Sequence, residues 1–330
     1  MNFRTKIETP QFGFNLNHHD VITMIGSCFA QNIGERLQKS KFNINLNPYG
    51  ILYNPASISK AIRRLIEKRT FAENELFEHR GIFQSFWHHS QFSDTNSELC
   101  LNKINDSFNQ ASEHLAASSV LFITFGTAYV FEHKESGEIV GNCHKIPASA
   151  FNRYRLDVDT IADDWTKLIN QLREVNKKLK IVFTVSPIRH LKDGLHDNQL
   201  SKSTLLLAID KLCSEHDNCY YFPAYETVLD DLRDYRFYSE DMTHPNNTAI
   251  EYIWELFERT FFNKETSTII SEWSKLQAAI DHRPLNDKGE EYKQFLIQTI
   301  DKLNKFQEKY TYLCCNNEIV LLNKRRQALQ

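Results

Sequence analysis

The chain has 330 residues, 41% hydrophobic, 12% aromatic and 25% charged, and its length exceeds the ~250–300 residues at which single cores stop growing, so one large domain with an appendage is expected. That composition supplies a packed core and excludes disorder and collagen, and no apolar run approaches the ~18 residues of a membrane span. A net charge of −3, from 39 basic and 42 acidic residues, gives no global attraction to nucleic acid or anionic lipid.

The N-terminal stretch MNFRTKIETPQFGFNLNHH lacks the apolar core of a secretory signal, so a cytoplasmic location is expected. Val21–Ile25 reads as a buried strand ending at Gly26, and Phe29, Ile33 and Leu37 then mark a helix over 29–40. A weaker strand, Phe42–Leu46, leads to Gly50, and a helix over 58–68 follows Pro55. Residues 75–100, with GIFQSFWHHSQF, alternate in polarity and read as an inserted hairpin.

Val120–Phe125 reads as another buried strand. A second inserted hairpin over 128–147 follows it, turning at Lys134–Gly137. A helix over 160–178 precedes strand Ile181–Val185, and a helix over 198–215 precedes strand Cys219–Phe222. Pro245 marks a helix start before Ile250, Ile253, Trp254 and Phe257.

Strands alternating with helices imply an α/β fold with a five-stranded parallel sheet, whose ligands sit outside the carboxyl ends of the strands. A domain over 1–263 is expected on this pattern. Beyond it, two amphipathic faces separated by HRPLNDKG imply a helical hairpin over 264–330, ending in a solvated basic tail at Lys324-Arg325-Arg326.

The seven cysteines are odd in number and form no C-x-x-C, so reduced thiols are expected. His18-His19 and His88-His89 are adjacent pairs, a poor spacing for one metal, and no zinc or phosphate-loop motif occurs. No metal and no cofactor are therefore expected.

Gly26, Gly50 and Gly126 cluster at strand ends, where backbone can approach a ligand closely. Ser27 stands between the first strand and its helix, where the positive helix end favours an oxyanion; an N-cap role fits the same place. His244 is a base candidate, with Asp241 three residues earlier to hold its Nδ1 and leave Nε2 for a serine proton. Asp193–His196 has the same spacing but lies in a polar loop, where a solvated or capping role is expected. Cys28 is expected to point away as a packed thiol.

Gly26-Ser27-Cys28-Phe29-Ala30 spells GSCFA, and the chain resembles the GSCFA-domain family of the SGNH/GDSL-like hydrolases. Further matches are NPYG ending at Gly50, TFGT ending at Thr127, NCHK at Asn142–Lys145, SPIRH at Ser186–His190, and LRDYRFYSEDMTHPN ending at Asn246. The resemblance covers about residues 20–260. It implies a three-layer flavodoxin-like fold and a Ser27, Asp241, His244 triad. Where such enzymes carry an asparagine that serves the oxyanion hole, this chain reads Gly126-Thr127-Ala128-Tyr129, so the third donor is the Thr127 hydroxyl or backbone, or another group.

Together these readings predict a serine esterase or acyltransferase acting on an O-acyl ester, with an acylated carbohydrate favoured by analogy. The Ser27 and Gly50 N–H groups and Thr127 would hold the oxyanion. Asn142, His144 and Lys145, with Arg189 and His190 opposite, would contact substrate. A ligand-binding module without turnover, and self-association through the C-terminal helices, are the alternatives.

Overall fold

A computed structural model describes residues 4–284 and 289–329. Residues 285–288, within the expected helix break HRPLNDKG, lie outside the described residues.

In chain order the first half carries β1 (Val21–Gly26), α1 (Cys28–Lys39), β2 (Asn43–Leu46), α2 (Pro55–Glu67), β3 (Phe77–His79), β4 (Ile82–Gln84), α3 (Ser97–Ala117) and β5 (Val120–Phe125). Then come β6 (Tyr129–His133), β7 (Glu138–Ile139), β8 (Phe151–Arg155), α4 (Val158–Val175), β9 (Lys180–Val185), α5 (Leu195–Glu215) and β10 (Cys219–Tyr221). A single turn α6 (Ala224–Glu226), α7 (Asn247–Phe261), α8 (Lys264–Asp281), α9 (Glu290–Lys309) and α10 (Asn316–Gln327) complete the chain.

Five strands form one parallel sheet in the order β10-β9-β5-β1-β2. Strand polarity explains the layers. In β5, Leu121, Ile123 and Phe125 face the helices α2 to α5, while Val120 and Phe122 face α1 and α7. Both faces are covered, which is why these strands read as continuous apolar runs rather than alternating ones. The order reverses between β1 and β5, and the crevice outside their carboxyl ends is where such sheets bind ligands.

All five expected strands are present, with ends differing by a residue or so. The hairpin over 75–100 is β3–β4, but its last residues already belong to α3. Helix α3 went unread because its buried Cys100, Ile104, Phe108, Ala111 and Leu115 are separated by Asn, Ser and charged residues. The second hairpin is three-stranded: β8 pairs with β6. Pro245 does not open α7; Asn246 caps it, its Oδ1 accepting the Ala249 N–H at 3.1 Å.

Among the described residues the C-terminal unit has three helices where two were expected, around a core of Trp273, Leu296, Leu303, Phe306 and Leu322. The basic run expected as a tail belongs to α10, and Arg325 Nη1 donates to Ile280 O at 2.6 Å. Trp273 Nε1 donates to Lys39 O, and Lys41 pairs with Glu318, so this unit is fastened to the end of α1. Among the described residues no helix is long and apolar enough to cross a membrane.

Candidate active site

Gly26 ends β1 at φ +152°, and a Cβ there would lie 2.4 Å from the Thr124 carbonyl oxygen of the neighbouring strand. Only glycine fits, so the chain can turn sharply and present Ser27 at the N-terminus of α1. Ser27 Oγ accepts the Phe29 N–H at 3.3 Å, so the residue is an N-cap in this structure. It is 1% exposed. Asn47, at the end of β2, braces the turn from beside it: its Oδ1 accepts the Gly26 N–H at 2.9 Å, and its Nδ2 donates to Gln31.

An 850 Å³ cavity opens over this edge of the sheet. Cys28, Tyr53, Thr127, Asn142, His190 and His244 are among the residues that line it. Cys28 is therefore a correction: it faces the cavity, with its sulfur 3.6 Å from the Tyr53 hydroxyl. As the first residue of α1 it turns outward while Phe29 turns in. Burial raises the Tyr53 phenol well above its ordinary range, so it stays protonated.

His244 Nδ1 lies 2.6 Å from Asp241 Oδ2, and Asp241 Oδ1 accepts the N–H groups of Thr243 and His244. Those bonds from His244 and Thr243 lower the Asp241 carboxyl to about 2. The carboxylate stays charged and holds the ring by Nδ1, leaving Nε2 free on a residue that lines the cavity. Ser27 Oγ and His244 Nε2 share no hydrogen bond in this arrangement. The second Asp-x-x-His forms no such pair: Asp193, expected to be solvated or capping, is instead nearly buried on the cavity wall and pairs with Arg153, and His196 lies on α5.

Two expected oxyanion donors are placed differently. The Gly50 N–H donates to Asn47 O at 2.7 Å, and Gly50 packs so closely on His89 that a Cβ would sit 2.3 Å away. Gly50 is thus committed to its own tight turn at φ +72°, not free to bind an oxyanion. The Gly126 and Thr127 N–H groups both donate to Tyr53 O. For Thr127 that leaves the hydroxyl, which accepts the Tyr129 N–H and lies 3.1 Å from Ser201 Oγ.

Of the expected substrate contacts, Asn142, Arg189 and His190 line the cavity. His144 does not. It is 7% exposed, and its Nε2 lies 2.8 Å from Ser85 O, pinning the loop to the first insert. Lys145 is exposed and also absent from the cavity wall; both residues adopt positive φ, so the chain folds back at this point. Arg189 Nη1 donates to Met242 O and its N–H to Thr243 O, so it braces the His244 loop from the cavity wall. Burial, with Lys202 nearby, lowers His190 to about 4, so its ring is neutral at physiological pH. Asn47, Tyr53, Ser201 and Lys202 were not read from sequence.

Among the described residues no group of His, Cys, Asp and Glu is arranged to hold a metal ion. The profile of the GSCFA family matches residues 21–257, and that of the GSCFA domain protein, C-terminal domain, matches residues 273–328. No curated protein matches the chain.

Proposed function

Since the chain belongs to the GSCFA family, and its motif serine stands at the same sheet edge as an Asp–His pair, we propose that it is a serine esterase or acyltransferase of SGNH type acting on an O-acyl ester. The observation that carries this reading is the 2.6 Å contact of Asp241 with His244 Nδ1, which leaves Nε2 for a serine proton on a residue that lines the cavity beside Ser27. The 2-1-3-4-5 order of the five parallel strands is consistent with the fold implied by the sequence resemblance.

In this reading Ser27 Oγ leaves its capping bond and attacks the acyl carbonyl carbon. His244 Nε2 takes the serine proton and returns it to the leaving alcohol. Asp241 holds the ring and stabilises the imidazolium. The Ser27 N–H, at the positive end of α1, and the Thr127 hydroxyl stabilise the oxyanion. Water or a second alcohol then attacks the acyl-serine, with His244 as base. An acylated carbohydrate is the favoured substrate class, on the resemblance alone.

A second reading is a ligand-binding module without turnover. The burial of Ser27, its capping bond and its absence from the cavity wall favour it. One experiment separates the two: the purified chain against p-nitrophenyl esters of graded chain length and acetylated sugars, beside Ser27→Ala. Turnover that the variant lacks supports the enzyme; equal rates, or none on any ester and no labelling by a fluorophosphonate, support the binding module.

A further inference from the structure

Behind the cavity wall lies a buried charge that the acyl-transfer steps do not use. Lys202, on α5, is 1% exposed. Its Nζ donates to Gly126 O at 2.6 Å and to Ser186 O at 2.7 Å. These carbonyls directly follow β5 and β9, adjacent strands at whose ends the cavity opens.

Lys202 does not act alone. Asn198, Ser201 and Lys202 lie at helical spacing on the buried face of α5; Asn198 and Ser201 each bond one of the two strand-end loops, and Lys202 bonds both. Asn198 Oδ1 accepts the His190 N–H at 2.9 Å. Ser201 Oγ accepts the Ala128 N–H at 2.8 Å and lies beside Thr127 Oγ1. The three form a bracket behind the cavity.

Among the described residues no carboxylate pairs with Nζ. The groups facing it are Tyr225, its ring centroid 5.9 Å away, and His190; Arg153 and His244 also act on His190. None of them supplies a counter-charge. Burying an ammonium without one is costly, and an apolar side chain of similar length would fill the space without that cost.

We infer that Lys202 is a positioning residue of the candidate site: its ammonium ties the Gly126 and Ser186 carbonyls together and so sets where Thr127 and the Arg189–His190 loop face the cavity. The kinetic part of this inference rests on the esterase reading; the binding geometry does not. Burial lowers the Lys202 amine to about 7, so the tie weakens as the pH rises through neutrality. Stability moves the other way. The unfolded lysine holds its proton up to about 10.5, so the folded chain releases its proton first and gains stability between those values. A lysine with only a structural role changes stability with pH but not turnover.

The test compares the wild type with Lys202→Met on whichever ester the wild type turns over. The wild type should show an alkaline fall in kcat; the variant should lose that fall, and roughly 10–100-fold in kcat, with KM changed by less than about twofold. A folded variant with unchanged kcat and unchanged pH profile overturns the inference. Should no ester be turned over, the esterase reading fails by itself and histidine NMR decides. His190 should then titrate at higher pH in Lys202→Met, since a neighbouring cation has gone; an unmoved titration overturns the inference. Should the variant not fold, the wild type suffices. His190 resonances must then inflect together with the lysine Nζ signal near neutral pH, and their failure to do so overturns it.

Discussion

Asp241 grips His244 at two points, accepting from the backbone N–H at 3.0 Å and standing 2.6 Å from Nδ1. The carboxylate therefore fixes both the loop and the ring, and one substitution tests both functions.

If the triad works as one unit, Ser27→Ala and His244→Ala each remove nearly all turnover, and the double variant is little worse than either. Steady-state kcat on a p-nitrophenyl ester reads this. Multiplicative losses would deny a shared proton transfer.

The grip also has an acid limit. The Asp241 carboxyl, held near 2 rather than 3.8, stabilises the fold above about pH 4, and that contribution is lost as the pH falls through about 2. The melting temperatures of wild type and Asp241→Asn should differ by a small constant amount above pH 4 and converge toward pH 2. Because the group is exposed the difference is small, and a gap persisting at pH 2 refutes the coupling.

Thr127→Val should lower kcat about 100-fold with KM nearly unchanged if the hydroxyl stabilises the oxyanion. The hydroxyl also meets Ser201 and the Tyr129 N–H, so Ser201→Ala is the control. A loss shared equally by both variants assigns the effect to loop geometry instead.

Cys28 lines the cavity whereas Ser27 does not. Cys28→Ala should keep fluorophosphonate labelling, and Ser27→Ala should abolish it. A bulky maleimide on Cys28 should block turnover in the wild type and spare Cys28→Ala. The reverse labelling pattern would make the thiol the nucleophile.

His144 and Lys145 are neighbours with opposite expected effects. His144→Ala removes the ring's bond to Ser85 O, which keeps only the His88 N–H, and should cost about 1 kcal/mol in urea unfolding. Lys145→Ala, on the surface, should stay within about 0.5 kcal/mol. Equal effects would remove the loop-pinning role of His144.

The sheet and most of its helices, α3 excepted, were legible because burial on both faces leaves a direct record in composition: VITMI, VLFITF and IVFTV have one folded use. Gly26-Ser27 and Asp-x-x-His were legible because neighbouring residues within a turn of chain need no distant partner. The α5 bracket had a trace as well. Asn198, Ser201 and Lys202 continue the stripe of Leu205, Ala208, Ile209 and Leu212, so polar residues occupy core-facing positions. What only the tertiary structure decided is which carbonyls they meet. Gly50 had a glycine's freedom on paper, but its own turn at Asn47 takes its N–H and His89, brought from another segment, fills the space beside it. His144 looked like a substrate contact because its residue type suits one; the carbonyl of Ser85, 59 residues away, claims its ring. Residue type fixes what a group can bond to, and the pairing of distant segments decides which of those bonds is already made.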